Sequence, residues 1–237
     1  QICTRTNRLL GAEALIRWQH PDAGMISPAD FIPVAEDTGL ITEIGDWALR
    51  EACTTFQQWN LYRSTPLPVS VNVSVRQLSD DFVTRVKEII EQSGIAPKLL
   101  ELEITESLLM DNVKQNIEWL DRIYELGIHF AMDDFGTGYS SLSYLKQFPI
   151  SKLKIDRAFI MVITACADEE AIVRAILAMS HTLRLKVVAE GVETEEQLSM
   201  LQQMNCDSYQ GYYFSKPVDK ATFEQRFLEP IPQLNQS

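Results

Sequence analysis

Apolar runs of strand length alternate with helical stretches from one end of this chain to the other, and that alternation restricts the fold more than any other feature. Strand-like runs fall at residues 9–18, 67–73, 99–104, 128–132, 150–155, 186–189 and 208–214. A helix starts at Pro28 behind an N-cap at Ser27. Further helical stretches cover 41–59, 74–93, 107–126, 169–185 and 194–204, with Gly94 and Gly127 as stops. Strand and helix in turn, joined by short turns, predict a parallel sheet with helices outside it. Seven strands are counted where a closed (β/α)₈ barrel needs eight. The first strand is therefore expected to lie before Gln1, with the chain an N-terminally truncated piece of a barrel.

Size and charge narrow the function. The 237 residues suit one barrel-sized unit, and 46% hydrophobic residues can fill its core. A net charge of −12 argues against a binder of polymeric nucleic acid, whose footprint is normally basic. The four cysteines, Cys3, Cys53, Cys166 and Cys206, form no CxxC pair, which speaks against a zinc site or a disulfide framework. No apolar run is long enough to span a membrane, and no signal peptide is visible. A cytoplasmic domain is expected, whose parent protein can still be membrane-anchored. The polar stretch 230–237 is expected to be a tail, leaving 1–229 as the domain.

The chemistry sits at the strand ends. The central strand stops on Asp133-Asp134, followed by Phe135-Gly136-Thr137-Gly138. Two adjacent carboxylates repel each other unless a cation lies between them. An isolated pair would be read as a solvated turn, but the pattern recurs. Glu13, Asn72, Glu103, Asp133, Lys154, Glu190 and Gln210 each stand at or near the end of an apolar run. From Asn72 onward they are separated by 31, 30, 21, 36 and 20 residues, about one β-α unit each. In a barrel such ends converge on one face, where active sites lie. The candidate ligands are carboxylates and an amide, with no His or Cys among them, a set that suits Mg²⁺ or Mn²⁺. Two such ions ~3.5–4 Å apart clamp the attacking and leaving oxygens of an in-line phosphoryl displacement. Lys154 is the single cation of the set, a holder of water or phosphate oxygen or a counter-ion for the acids.

Taken in order, Glu13-Ala14-Leu15 with Arg17, Asn72-Val73-Ser74, Glu103-Ile104-Thr105-Glu106, Asp133-Asp134-Phe135-Gly136-Thr137-Gly138, Leu153-Lys154-Ile155-Asp156, Ala189-Glu190-Gly191-Val192-Glu193-Thr194 and Gln210-Gly211 with Ser215-Lys216-Pro217 resemble the EAL domain, a bacterial phosphodiesterase family acting on cyclic di-GMP. The resemblance implies a TIM-like (β/α)₈ barrel with one antiparallel strand, here without its N-terminal helix and first strand. It implies hydrolysis of cyclic di-GMP to linear pGpG by a two-metal in-line attack. The implied metal ligands are Glu13, Asn72, Glu103, Asp133, Asp134 and Glu190, with Lys154, Glu13 and Glu190 as catalytic groups. Leu15, Arg17, Gln210 and Glu193 would bind substrate. Glu106 would anchor the loop 135–141, which the resemblance links to a homodimer. Fusion to sensory or diguanylate-cyclase-like domains is also implied. The competing reading is a non-catalytic cyclic di-GMP receptor. The three histidines, His20, His129 and His181, stand apart from one another, and none is assigned a role.

Overall fold

The computed structural model of the chain describes residues 1–106, 112–136 and 145–228. Eight strands form one sheet in the order β1-β10-β9-β8-β7-β6-β5-β2. They are β1 (Ile2–Cys3), β2 (Ala12–Ala14), β5 (Val69–Asn72), β6 (Leu100–Thr105), β7 (His129–Phe135), β8 (Ile150–Ile155), β9 (Lys186–Ala189) and β10 (Ser208–Tyr209). All pairings are parallel except β1 with β10. This is the curled, TIM-like sheet with one antiparallel strand that the resemblance implies.

The sequence count of seven strands is one short of the sheet, and the strand it lacks is β1. Ile2 pairs with Tyr209 on one side and bridges Leu9 on the other. Cys3 N donates to Arg8 O and Leu10 N to Gln1 O, both at 2.9 Å. Residues 8–10 lead straight into β2, so this hairpin links the two ends of the sheet. Two residues are too few to show an alternating pattern, which is why the strand escapes sequence reading.

Helices cover the outside. They are α1 (Pro28–Thr38), α2 (Ile41–Asn60), α3 (Asp80–Ser93), α4 (Val113–Tyr124), a six-residue α5 (Arg157–Val162), α6 (Ala167–Thr182), α7 (Glu195–Gln203) and α8 (Lys220–Phe227). Ser27 Oγ accepts from Ala29 N and Gly39 ends α1 in the left-handed region, as its cap chemistry demands. The single helix expected over 74–93 is two pieces. Ser74 and Gln77 close a capping box around a short 3₁₀ turn, and Ser79 then caps α3 afresh through Phe82 N. The strand expected over 9–18 is shorter too. Trp18–His20 (β3) turns back on Gly24–Ile26 (β4), and His20 Nδ1 accepts from Asp22 N and Ala23 N in the turn. The start of the helix expected at 107, the loop beyond Gly136 and the tail from 230 lie outside the described residues.

Alternation along the strands makes the two faces different. On β6, Leu100, Leu102 and Ile104 are fully buried. They alternate with Glu101 and Glu103, which point to the other face. Leu153, Ile155, Val187 and Ala189 do the same on β8 and β9, meeting Val173 and Leu177 of α6 in the core. The apolar set therefore glues the helices on, while the polar set fills the inside. Among the described residues no helix is long and apolar enough to cross a membrane.

β10 ends after two residues because Gly211 turns the chain. Its φ is +156°, and a Cβ there would lie 2.2 Å from Val192 O and 2.3 Å from Val192 N. Gly211→Ala is therefore expected to destabilise the fold by at least ~2 kcal/mol, from backbone strain of order 1–3 kcal/mol plus the clash. Urea unfolding monitored by circular dichroism checks this.

Candidate active site

Seven of the residues picked out by sequence meet in one hydrogen-bonded cluster. At its centre is Lys154, on β8 and 1% exposed. Its Nζ lies 2.6 Å from Glu103 Oε2, 2.8 Å from Glu190 Oε1, 3.1 Å from Asp133 Oδ2 and 3.4 Å from Glu13 Oε2. Gln210 Nε2 donates to Glu13 Oε2 and to Glu190 Oε1, each at 2.7 Å. Asn72 Nδ2 donates to Glu13 Oε1 at 2.7 Å. These side chains come from β2, β5, β6, β7, β8 and the residues just after β9 and β10. The parallel sheet brings them together because it aims every strand C-terminus the same way.

Asp134 joins from a distorted backbone. Pairing between β7 and β8 shifts register between Met132 and Phe135. Asp134 sits inside that irregularity with φ at +53°, unusual for a residue with a side chain. Such a bulge re-aims a side chain. Ligand oxygens of Asp133, Asp134 and Glu190 fall within 4.8 Å of one another, and so do those of Glu13, Glu103 and Asp133. Asp133 belongs to both groups.

Electrostatics follow from burial and crowding. Burial alone would lower the Lys154 ammonium, but Glu103, Glu13, Glu190 and Asp133 outweigh it and hold the group charged. Burial pushes Glu103 well above the usual carboxylate range, and the nearby Glu13 and Asp133 carboxylates push it further, against Lys154. Glu190 is pushed up to about 7, chiefly by burial and by Asp133. Asp134 rises to about 6 through burial, Asp133 and Asp156. Glu13 goes down: burial opposes this, but Lys154, Gln210 and Asn72 together prevail.

This site fits divalent cations. Five carboxylates and one ammonium leave four unbalanced negative charges, the number that two such ions carry. Glu103 Oε1 is buried without a hydrogen-bond partner among the described residues. A buried carboxylate oxygen seldom stays unpaired unless something absent from the protein itself satisfies it. The all-oxygen donor set is that of hard cations.

The remaining candidates surround this centre. Leu15 is 43% exposed and Arg17 is exposed, both on the rim of a cleft of about 860 Å³ that opens onto Glu13, Glu190 and Gln210. The Arg17 guanidinium donates to Ile16 O. Glu193 lies on the cleft too, paired with Arg157 at 2.8 Å. Glu106 stands behind the site, its Oε2 accepting from Gly136 N at 3.1 Å. Sequence reading named Asp156 within its motif but gave it no role; it hydrogen-bonds Asp134 and caps α5, standing just past β8 as Asp134 stands near the end of β7. The same reading passed over Arg157, and it named Lys216 only within Ser215-Lys216-Pro217 without placing it on the cleft that both residues line. No spacing rule marks those two; only the folded proximity does.

Comparison with known proteins agrees with this geometry. Residues 1–217 match the EAL domain family. The signaling protein YkoW of Bacillus subtilis is 45% identical over 234 residues, covering 98% of this chain and 29% of YkoW. The cyclic di-GMP phosphodiesterase NbdA of Pseudomonas aeruginosa is 45% identical over 233 residues, covering 95% of this chain and 30% of NbdA. The chain thus spans less than a third of the length of these relatives. A solved structure described as the PaMucR phosphodiesterase in complex with c-di-GMP superposes with a TM-score of 0.90 at 41% identity, covering 94% of this chain and 90% of that one.

The raised carboxyls set a pH dependence. A carboxyl whose folded pKa lies above its unfolded value binds more protons in the folded state between the two values, so stability falls as pH rises through that window. For Glu190 the window runs from 4.5 to about 7, and for Asp134 from 3.8 to about 6. In EDTA the thermal midpoint should fall by several degrees from pH 5 to pH 8, and Mg²⁺ or Mn²⁺ at pH 8 should restore it. Scanning calorimetry across that range checks both halves.

Proposed function

This chain belongs to the EAL domain family, and we propose that it hydrolyses one phosphodiester of cyclic di-GMP to linear pGpG with two Mg²⁺ or Mn²⁺ ions. The observation that carries the reading is the cluster of five carboxylates that a single buried ammonium leaves unneutralised. Glu13, Asn72, Glu103, Asp133, Asp134 and Glu190 would hold the ions, Asp133 being common to both groups. When bound, such ions supply Lewis acidity at phosphorus and lower the pKa of water.

The protein's own groups have separable tasks. Lys154 keeps its proton at neutral pH, so it acts as a donor that orients water or a phosphate oxygen, not as a base. A proton released by attacking water must then go to a carboxylate of the site, and Glu13 and Glu190, which flank Lys154, are the groups given that task. Attack forms the new P–O bond in line with the P–O3′ bond that breaks, and the departing 3′-oxygen takes a proton from solvent to become a hydroxyl. Gln210 orients Glu13 and Glu190 by donating to both. Arg17 and Leu15 would take the substrate's phosphate and its surroundings at the rim, and Glu193 would do so through Arg157.

The reading extends to the whole protein. Residues 1–229 would form the catalytic unit, working in the cytoplasm as a homodimer and attached to sensory or diguanylate-cyclase-like domains. Exposed Met161 and Val162 on α5, at 52% and 41%, border the surface proposed for the dimer.

Purified chain incubated with cyclic di-GMP should yield pGpG with Mg²⁺ or Mn²⁺ and none in EDTA, as read by chromatography. Tight binding with no product in either metal would make it a receptor instead. Glu13→Ala should abolish product. Glu106→Ala removes the acceptor that holds Gly136 N and should weaken metal response roughly 10–100-fold, the usual cost of losing an outer-shell partner, without unfolding the domain. Kinetics unchanged across a metal titration would refute that role.

A further inference from the structure

One layer beneath the catalytic centre, the inside of the sheet carries a second acid–base pair. Lys152 Nζ lies 2.7 Å from Glu101 Oε1, as Lys154 Nζ lies 2.6 Å from Glu103 Oε2. Residues two apart on a strand face the same side. The two pairs are therefore stacked along β6 and β8. These strands are not neighbours, because β7 runs between them. Each pair bridges β7. Lys152 is in register with Ala131 of β7 and Glu101 with His129, so the lower tie crosses β7 obliquely past the small Ala131 side chain. Ser70 of β5 donates to the same Glu101 oxygen at 2.8 Å, and Lys152 also donates to Gln1 Oε1 at 2.8 Å.

None of the trio Ser70, Glu101 and Lys152 lines the cleft. Ser70 and Glu101 are buried. Barrel interiors are ordinarily filled at such depth by branched apolar side chains. A buried ion pair is also weak evidence for stability, since apolar residues of similar volume often serve as well. Charge in this layer calls for a different reason. Lys154 must satisfy four carboxylates from four elements at once, and a displacement of ~1 Å in such a site can cost ~100-fold in rate. A tie across β7 directly below fixes the separation on which that arrangement depends.

We infer that Glu101 and Lys152 are positioning residues, whose bond across β7 sets how Lys154 and Glu103 face each other in the layer above. The inference rests on the function proposed for the site. It is tested with E101L/K152M, which removes both charges while keeping volume, and with K152M and K152R. E101L/K152M should unfold in EDTA at or above the wild-type temperature. Its Mn²⁺ concentration for half-maximal thermal stabilisation should rise at least ~10-fold, and kcat should fall ~10–100-fold, as for lost outer-shell support. KM for cyclic di-GMP should stay within about twofold, as the rim residues are untouched. If E101L/K152M does not fold, K152M should show the same losses and K152R, which keeps the cation, should recover most of them. Wild-type Mn²⁺ response and kcat in E101L/K152M or K152M would overturn the inference. Absence of hydrolysis by the wild type would instead sink the proposed function, and the Mn²⁺ midpoints would still decide the positioning role.

Discussion

Everything at the business end of this fold depends on one buried ammonium among carboxylates. Lys154 is almost inaccessible, yet it is held charged by four acids that reach it from separate strands or strand ends. Remove any one strand from its place and an acid loses its counter-ion in a low-dielectric interior, which is costly. The sheet is thus more than a scaffold. Its parallel sense is what allows so many carboxylates to arrive at one point, and the lysine is what allows them to stay there without a metal.

That economy has a backbone cost, met in two places. Asp133 and Asp134 are consecutive, and a regular strand would send their side chains to opposite faces. The register shift and left-handed φ at Asp134 bring both carboxylates to the same end of the sheet. Gly211 does the corresponding service after β10. By adopting a φ closed to other residues it lets the chain pack against Val192 and leaves Gln210 pointing at Glu13 and Glu190. Irregular backbone at these two sites directly aims side chains of the functional face, the kind of place where strain is stored to a purpose.

Much of this was legible in the sequence, for a physical reason. Buried parallel strands read as short apolar runs, so 150–155 and 186–189 coincide with β8 and β9. The polar residue that ends such a run must emerge at the rim, which is why Glu103, Asp133, Lys154 and Glu190 could be named in advance. What failed was of two kinds. Elements of two or three residues, such as β1 and the β3–β4 hairpin, are too short to establish a period, so their pairing was invisible or merged into a longer strand. Residues whose role depends on a tertiary partner were missed as well. Arg157 reads as a surface cation until Glu193, 36 positions later, is seen 2.8 Å away. Glu101 reads as the solvent-facing alternate of Leu100 and Leu102 until the sheet curls and puts it inside.

Charge distribution adds a last constraint on how such a site can meet an anionic substrate. At −12 overall, the protein repels a phosphodiester at long range. Screening shortens that repulsion to ~8 Å at physiological ionic strength, so the final approach is governed by whatever lines the cleft. The cations Arg17, Arg157 and Lys216 line it, and it opens onto the acids Glu13 and Glu190. Arg157 is already partnered by Glu193, and Lys216 lies over the Tyr212 ring, 5.4 Å from its centroid. The rim can guide a phosphate inward, but the floor would expel it while its carboxylates remain unneutralised. Divalent ions at the floor would therefore have two functions that cannot be separated: they would supply the chemistry, and they would cancel the negative field the substrate meets. A site built this way would gate binding and turnover by the same ions, with the buried lysine holding it together in the interval when they are absent.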